Sequence, residues 1–302
     1  MKYLKQAIFC AVIGCITFFI TAMANNSAHL YLQDDVSYKQ QDYSRTVKLN
    51  RQACNDGNLP ACSNLGTLYV LGLGVEQNYS RALGLFEQAC KGGFLSSCYN
   101  LGRMYYEGHG VEKDYSRAAE LYEKACGDKV IQACSNLGEL YSRGLGVSQD
   151  YYRAAQFYEQ ACKGEDFASC ANLGLFYSNG YGVRQDISRA ARLYEQACNK
   201  NIVEACANLA ILYVSGEGIE QDYERGAKLY EQACREKHQL ACYSLGVLYE
   251  HGQGLGQDYY RAENLFAQSC RAGISQGCSS LGNMYYKGQG GAAGLFPCGT
   301  TL

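Results

Sequence analysis

Small and apolar residues recur along this chain at helical spacing, in pairs of short segments. In Tyr79–Lys91 the apolar positions follow an i, i+3, i+4, i+7 pattern, with polar residues between them. Leu95–Glu107 shows the same period through Cys98, Leu101 and Tyr105. A pair of glycines follows the first segment, and Gly-x-Gly follows the second. The pattern therefore predicts two antiparallel helices joined by a short turn.

This two-helix pattern occurs seven times without a gap, once every 36 residues. A fixed period of this length is typical of a solenoid, in which each unit packs only on its neighbours. The predicted fold class is all-α, an α/α right-handed superhelix of helical hairpins that covers residues 43–290. The units are predicted at residues 43–78, 79–114, 115–150, 151–186, 187–222, 223–258 and 259–294.

Several positions hold the same residue in nearly every unit, which indicates structural roles. Asp precedes five of the first helices, where its carboxylate can accept a hydrogen bond from a free backbone N–H. A glycine in the middle of the second helix costs about 1 kcal/mol relative to alanine, so we expect a close helix crossing there. A tyrosine three residues later should be a core residue with its hydroxyl at the edge. The central glycines are Gly66, Gly102, Gly138, Gly174, Gly246 and Gly282, with Ala210 in the fifth unit.

The 17 cysteines include one pair per unit, in which the second cysteine stands eight positions after the first. Each pair flanks the turn between two antiparallel helices, so we predict one disulfide within each hairpin. Metal binding is the alternative, but zinc sites favour closer cysteines with histidine partners, and no histidine recurs in the repeat. We therefore expect no metal and no cofactor. The predicted disulfides are Cys54–Cys62, Cys90–Cys98, Cys126–Cys134, Cys162–Cys170, Cys198–Cys206, Cys234–Cys242 and Cys270–Cys278.

The two ends of the chain differ from the repeats. Residues 1–24 combine a basic start, an apolar run and Ala-Met-Ala, and they are interpreted as a signal peptide, with residues 25–42 as a lead-in. A lipoprotein signal ending at Cys15 is the alternative. So many cysteines indicate an oxidising compartment, so we expect a secreted or periplasmic protein without a transmembrane span. Residues 291–302 are atypical and suggest an early end, as a frameshift would produce.

Several residues of the repeat match the pattern of a tetratricopeptide repeat. Residues 100–105 read Asn-Leu-Gly-x-x-Tyr, and Ala118, Tyr122 and Ala125 follow at helical spacing. The unit is two residues longer than a tetratricopeptide repeat and contains a Gly-x-Gly loop, so it resembles the Sel1-like repeat. With its paired cysteines and signal peptide, the chain resembles the Helicobacter cysteine-rich protein family. That resemblance implies a secreted or periplasmic penicillin-binding protein with weak β-lactamase activity and contact with host cells.

The residues themselves contain no recognisable hydrolase motif. Ser-x-x-Lys, Ser-Asp-Asn and Lys-Thr-Gly are absent from the sequence. The pattern Gly-x-Ser-x-Gly occurs at residues 273–277, but it falls in a turn between two predicted helices and so is not the strand-to-helix elbow of a serine hydrolase. Ser80 and Ser116 stand at helix starts, which is typical of capping rather than catalysis. Arg81 and Arg117 belong to an arginine position present in all seven units, which suggests a structural ion pair with the preceding acidic loop. Catalytic residues are therefore unknown, and weak β-lactamase activity is expected from the resemblance alone.

A ladder of asparagines on the second helices is the candidate binding site. Solenoids bind along a concave face, and tetratricopeptide folds line it with the helix that here carries the Asn-Leu-Gly sequence. Amides can donate to and accept from an extended peptide backbone, while varied neighbours would select its side chains. The alternative is that the asparagines bond a neighbouring loop. The predicted binding residues are Asn64, Asn100, Asn136, Asn172, Asn208, Arg103, Glu139 and Arg143.

These features predict a monomeric protein that binds a peptide, a peptidoglycan fragment or a β-lactam, with a host protein as a further partner. The net charge of −2 lacks the basic field that nucleic-acid binding requires. The alternative function is a non-enzymatic scaffold for host or envelope proteins.

Overall fold

A computed structural model describes residues 43–127 and 130–289 of the chain. These ranges contain α-helices and no β-strand, and none of the helices is long and apolar enough to cross a membrane. The predicted signal peptide, the lead-in and the atypical tail lie outside the described residues. The helices are α1 Tyr43–Asn55, α2 Leu59–Leu71, α3 Tyr79–Lys91, α4 Leu95–Glu107, α5 Tyr115–Gly127, α6 Ile131–Arg143, α7 Tyr151–Lys163, α8 Phe167–Asn179, α9 Ile187–Cys198, α10 Val203–Ser215, α11 Tyr223–Arg235, α12 Gln239–His251, α13 Tyr259–Arg271 and α14 Ser275–Tyr286.

The helices form two compact units that divide after Lys113. Unit one contains α1–α4, and unit two contains α5–α14. Odd-numbered helices are the first helices of the predicted hairpins, and even-numbered helices are the second helices. Within each unit a second helix also packs against the first helix of the next hairpin. A continuous core built in this way runs from α7 to α13 in unit two.

Aspartate side chains cap the starts of first helices, as the sequence predicted. The Oδ1 atom of Asp150 accepts from the backbone N–H of Arg153 at 3.0 Å, and Asp186 and Asp222 cap α9 and α11 in the same way. Second helices end at a glycine in the left-handed region, such as Gly144 with φ +67°. Two residues later, a Cβ on Gly146 would meet the backbone of Tyr115, so the loop requires glycine there.

A close helix crossing explains the glycines in the middle of the second helices. A Cβ built on Gly174 would lie 2.8 Å from a ring carbon of Tyr194, which is 2% exposed. Gly138 has the same relation to Tyr158, and Gly246 to Phe266. The aromatic ring of the next first helix therefore occupies the space that a side chain on the glycine would need.

Seven disulfides join the two helices of each hairpin, with Cα–Cα distances of 4.6–4.8 Å. They connect the pairs expected from the sequence. Most are buried: Cys62, Cys98 and Cys170 are 0% exposed. Cys278 in the last hairpin differs because it is exposed. The bridges hold each pair of helices together at one end, which suits a fold whose contacts are between neighbours.

Candidate functional site

The candidate site in unit two is formed by the second helices α6, α8, α10 and α12. The hydroxyls of Ser135 on α6 and Ser169 on α8 are hydrogen-bonded at 2.9 Å, so these two helices lie side by side. Asn136 and Asn172 stand at equivalent positions next to this contact. The amide row, as we call it, consists of Asn136, Asn172, Asn208 and Ser244, and all four are half-buried.

A second row lies three residues further along the same helices. It contains Leu175, Ile211 and Val247, which we call the apolar row, and each is half-buried. Residues three apart on a helix share a face, so the apolar row flanks the amide row. The arrangement can therefore offer hydrogen bonds along one line and apolar contact along the next.

Charged residues replace the apolar row at α6. Glu139 occupies the equivalent position, and its Oε1 atom lies 2.6 Å from Nη1 of Arg143 one turn later. Both side chains are partly exposed. The sequence predicted these two residues for binding, and the structure shows that they form an ion pair with each other. A ligand at this end would meet a compensated pair of charges rather than a free one.

The remaining predicted residues lie on the second helices of unit one. Asn64 on α2 is exposed, and Asn100 on α4 is half-buried. Arg103 is only 8% exposed, and its guanidinium pairs with Glu107 one turn later. Because Arg103 is buried beside a carboxylate, it has a structural role in α4 in addition to the binding role that the sequence predicted.

Hydrogen-bonding capacity in the amide row is not fully used. The Nδ2 atom of Asn208 is buried and has no hydrogen-bond partner among the described residues. The alternative hypothesis requires each asparagine to bond a neighbouring loop, and Nδ2 of Asn208 makes no such bond. A buried donor without a partner is costly, which usually has a functional or structural reason.

Burial shifts the pKa values of three titratable groups near the rows in the direction that favours their neutral forms. Burial raises the pKa of Tyr158 and of Tyr230 far above the usual value, so both stay neutral core residues. Burial lowers the pKa of His238, whose Nδ1 accepts from the backbone N–H of Ala241 and caps α12. Among the described residues, no group of three or more His, Cys, Asp or Glu could hold a metal.

The recurring arginines have a partner that the sequence reasoning missed. Arg153 reaches the predicted acidic residue Asp150 at 3.8 Å, and it also donates to the hydroxyl of Tyr141 at 2.9 Å. Arg261 relates to Asp258 and Tyr249 in the same way. The tyrosine hydroxyls thus reach the edge of the core, as predicted. Because an arginine and a tyrosine recur at fixed positions in each unit, the sequence contained a signal for this pairing.

A glutamine in the loop before the first helix was also missed. Gln221 donates from Nε2 to the carbonyl of Val214 at 2.8 Å and to the hydroxyl of Tyr223 at 3.0 Å. Gln149 and Gln257 make the equivalent bonds. This side chain fastens the loop to both helices and so sets where the next hairpin begins.

The family model of the Sel1 repeat matches most of the chain, so the protein belongs to the Sel1 repeat family. Each of the first six matches begins at a second helix and continues into the next first helix, and the seventh begins at α14. Six of the disulfides therefore join consecutive family repeats, and the seventh joins α1 to the first repeat. The matched residues are 59–94, 95–127, 131–166, 168–202, 203–238, 239–274 and 275–293.

Solved structures of other repeat proteins are similar to this chain. A protective antigen of uropathogenic Escherichia coli with an SLR fold is 29% identical with a TM-score of 0.76, over 82% of this chain and 53% of that one. The chain thus spans about half the length of that antigen. A Sel1 repeat protein from Oxalobacter formigenes is 29% identical with a TM-score of 0.62, over 75% and 99%.

Helicobacter pylori cysteine-rich protein B is 26% identical with a TM-score of 0.35, over 44% of this chain and 96% of that one. No curated protein matches the chain. Neither the family match nor the names of these neighbours assigns β-lactam chemistry.

Proposed function

We propose that the protein is an extracytoplasmic scaffold that binds an extended peptide across the second helices of unit two. The observation that carries this proposal is the amide row beside the half-buried apolar row. Asn136 and Asn172 would donate to and accept from the peptide backbone, and the half-buried Asn208 would accept from it through its amide oxygen. Leu175, Ile211 and Val247 would contact its apolar side chains. Glu139 and Arg143 would meet the polar end of the ligand.

Rigidity supports binding of this kind. A site that is already ordered loses little conformational entropy when a ligand binds, so more of the contact energy appears as affinity. The disulfides Cys162–Cys170 and Cys198–Cys206 hold two hairpins that carry the rows. Seven disulfides also indicate an oxidising compartment, where the available ligands include envelope proteins, host proteins and the peptide stems of peptidoglycan.

Hydrolysis of β-lactams is the second candidate function, and it has less support than peptide binding. It follows only from the resemblance to the Helicobacter cysteine-rich proteins, and no described contact favours it. A nucleophile needs a base within hydrogen-bonding reach, whereas the buried tyrosines Tyr158 and Tyr230 remain protonated. Incubation of the disulfide-bonded protein with a chromogenic cephalosporin should give no turnover above that of a serum albumin control. Turnover that copurifies with the protein and disappears on reduction would restore the enzyme hypothesis.

The scaffold is tested by selecting binders from a displayed library of random twelve-residue peptides and measuring their affinity by calorimetry. The variant replaces Asn136, Asn172 and Asn208 with Ala. At roughly 1 kcal/mol for each lost hydrogen bond, binding should weaken about a hundredfold. The matched control replaces Gln156, Arg192 and Lys228 with Ala; these are exposed residues on α7, α9 and α11, the first helices that follow α6, α8 and α10.

The control variant should bind as the unchanged protein does. Equal weakening in both variants, or selection of no peptide at all, would overturn the proposed function. Circular dichroism of each variant shows whether the helices are intact, so a loss of fold is not mistaken for a loss of contacts.

A further inference from the structure

The outer face of α14 is exposed in the part of the chain that the structure describes. In internal hairpins, the equivalent face of the second helix is covered by the first helix of the next hairpin. Gly138 then lies under the ring of Tyr158, and Gly174 lies under Tyr194. These internal contacts define what kind of helix the face accepts.

In α14 the same positions are exposed. A Cβ on Gly282 would have no heavy atom within 4 Å. Tyr286 is 91% exposed, and Cys278 is exposed although its counterpart Cys170 is 0% exposed. Leu281 is partly buried, whereas the equivalent Leu137 is 1% exposed. The face has the residues of an internal contact, and no other helix among residues 43–127 and 130–289 covers them.

The covering helices of this chain share one motif. Each has Arg at its third position and a small residue directly after it. Four positions beyond that small residue comes Phe or Tyr, and a second small residue follows three positions later. Examples are Arg81-Ala82 with Phe86 and Ala89, and Arg189-Ala190 with Tyr194 and Ala197. The small residues permit close approach, and the ring fills the space above glycine. In α9 the two small residues are 0% exposed.

Charge at the open face fits the arginine of this motif. In internal hairpins the tyrosine hydroxyl bonds the arginine of the covering helix, as Tyr249 does with Arg261 at 2.9 Å. At the open face, the hydroxyl of Tyr285 donates to the carboxylate of Glu263 at 2.8 Å. An arriving guanidinium would meet both the hydroxyl and the acidic group, which favours a basic residue in the partner.

We propose that the outer face of α14 docks an amphipathic partner helix with the motif Arg-Ala-x3-Phe/Tyr-x2-Ala. A second copy of this chain fits poorly. Its helix α1 has Thr46 where the motif has Ala and Asn50 where the motif has an aromatic ring. An asparagine over Gly282 would leave much of the space unfilled and would bury a polar amide. This surface is separate from the amide row.

The test uses a peptide with the sequence of residues 187–197, which contains the motif and ends before a cysteine. A hydrocarbon staple on its outward side keeps it helical, because short helices are marginal in water. Binding to the complete disulfide-bonded protein is followed by fluorescence anisotropy. Changing Tyr194 to Ala in the peptide should weaken binding about thirtyfold or more, because aromatic anchors dominate such contacts.

Gly282→Leu fills the space on the protein and should weaken binding by at least about thirtyfold, as the loss of an anchoring contact does. Gly84→Leu is the matched control, since Gly84 is an exposed helical glycine with open space around it, and it should bind normally. The triple Asn variant should also bind normally, which separates this proposal from the peptide site. Absence of binding, or equal binding to Gly282→Leu, would overturn the proposal. Dimerisation abolished by Gly282→Leu without peptide binding would assign the face to a second copy and overturn the stated partner.

Discussion

One substitution, glycine to alanine in the middle of a second helix, should change stability with opposite signs at two positions. Gly174 in α8 and Gly282 in α14 are equivalent in the repeat. Alanine is favoured over glycine in a helix interior by about 1 kcal/mol. At Gly282 the added Cβ meets no atom within 4 Å, so Gly282→Ala should stabilise α14 by about that amount.

At Gly174 the steric cost exceeds the gain in helix propensity. The new Cβ would lie 2.8 Å from Cε1 of Tyr194, a contact distance that requires the ring or the helix to move. Overpacking of a buried contact costs about 1–3 kcal/mol. After subtraction of the propensity gain, Gly174→Ala should destabilise the protein by up to about 2 kcal/mol.

The fifth hairpin shows how the chain accommodates alanine at this position. Ala210 replaces the glycine there, and the next helix contains Gly226 where most hairpins have Ala. A Cβ on Gly226 would lie 2.5 Å from Cγ2 of Val214, so this contact is the close one. The small residue has moved from one helix of the pair to the other.

Native-state hydrogen exchange is the suitable assay, because repeat arrays do not always unfold in one step. Opening free energies should rise in α14 for Gly282→Ala and fall in α8 and α9 for Gly174→Ala. Stabilisation by both substitutions would refute the reasoning, because the ring of Tyr194 would then move aside without cost. Destabilisation by both would show that the open face of α14 is covered in solution.

Three further predictions concern the turns and the last disulfide. Lys237 has φ +66° at a turn position where three other hairpins have Gly57, Gly93 and Gly273. Lys237→Gly should therefore raise the free energy of unfolding by about 0.5–1 kcal/mol, measured by urea denaturation, and Lys237→Ala should not. Burial lowers the pKa of His238, so the unfolded state takes up a proton that the folded state does not, and stability should fall as the pH drops below 6.5. His238→Asn should keep the cap, as Asn58 does for α2, and thermal melts at several pH values should show a weaker loss. A mild thiol should reduce Cys270–Cys278 before the other disulfides, and the last hairpin should then lose about 2.5 kcal/mol of stability. Alkylation followed by mass spectrometry shows the order of reduction, and reduction of the buried pairs at the same rate would contradict the prediction.

The sequence alone determined the features that depend on residues close together in the chain. Helix bounds such as Leu95–Glu107, the Asp150 cap and the disulfide Cys90–Cys98 all involve partners within a few residues. Each is decided by local geometry, and the seven repeats display the same local pattern again and again. The period also placed Asn136 and Asn172 on one face, because helical spacing converts a sequence interval into a direction.

Only the tertiary structure decided what each repeated position contacts. Gly174 and Gly282 stand in the same sequence pattern, yet Gly174 lies under the ring of Tyr194, whereas a Cβ on Gly282 would meet no heavy atom within 4 Å. The half-buried apolar row beside the amides and the pair Arg153–Tyr141 join residues from different helices. Such contacts depend on how neighbouring hairpins pack. A repeated sequence specifies the helices and their order, whereas the burial and the contacts of each residue depend on which helices pack beside it.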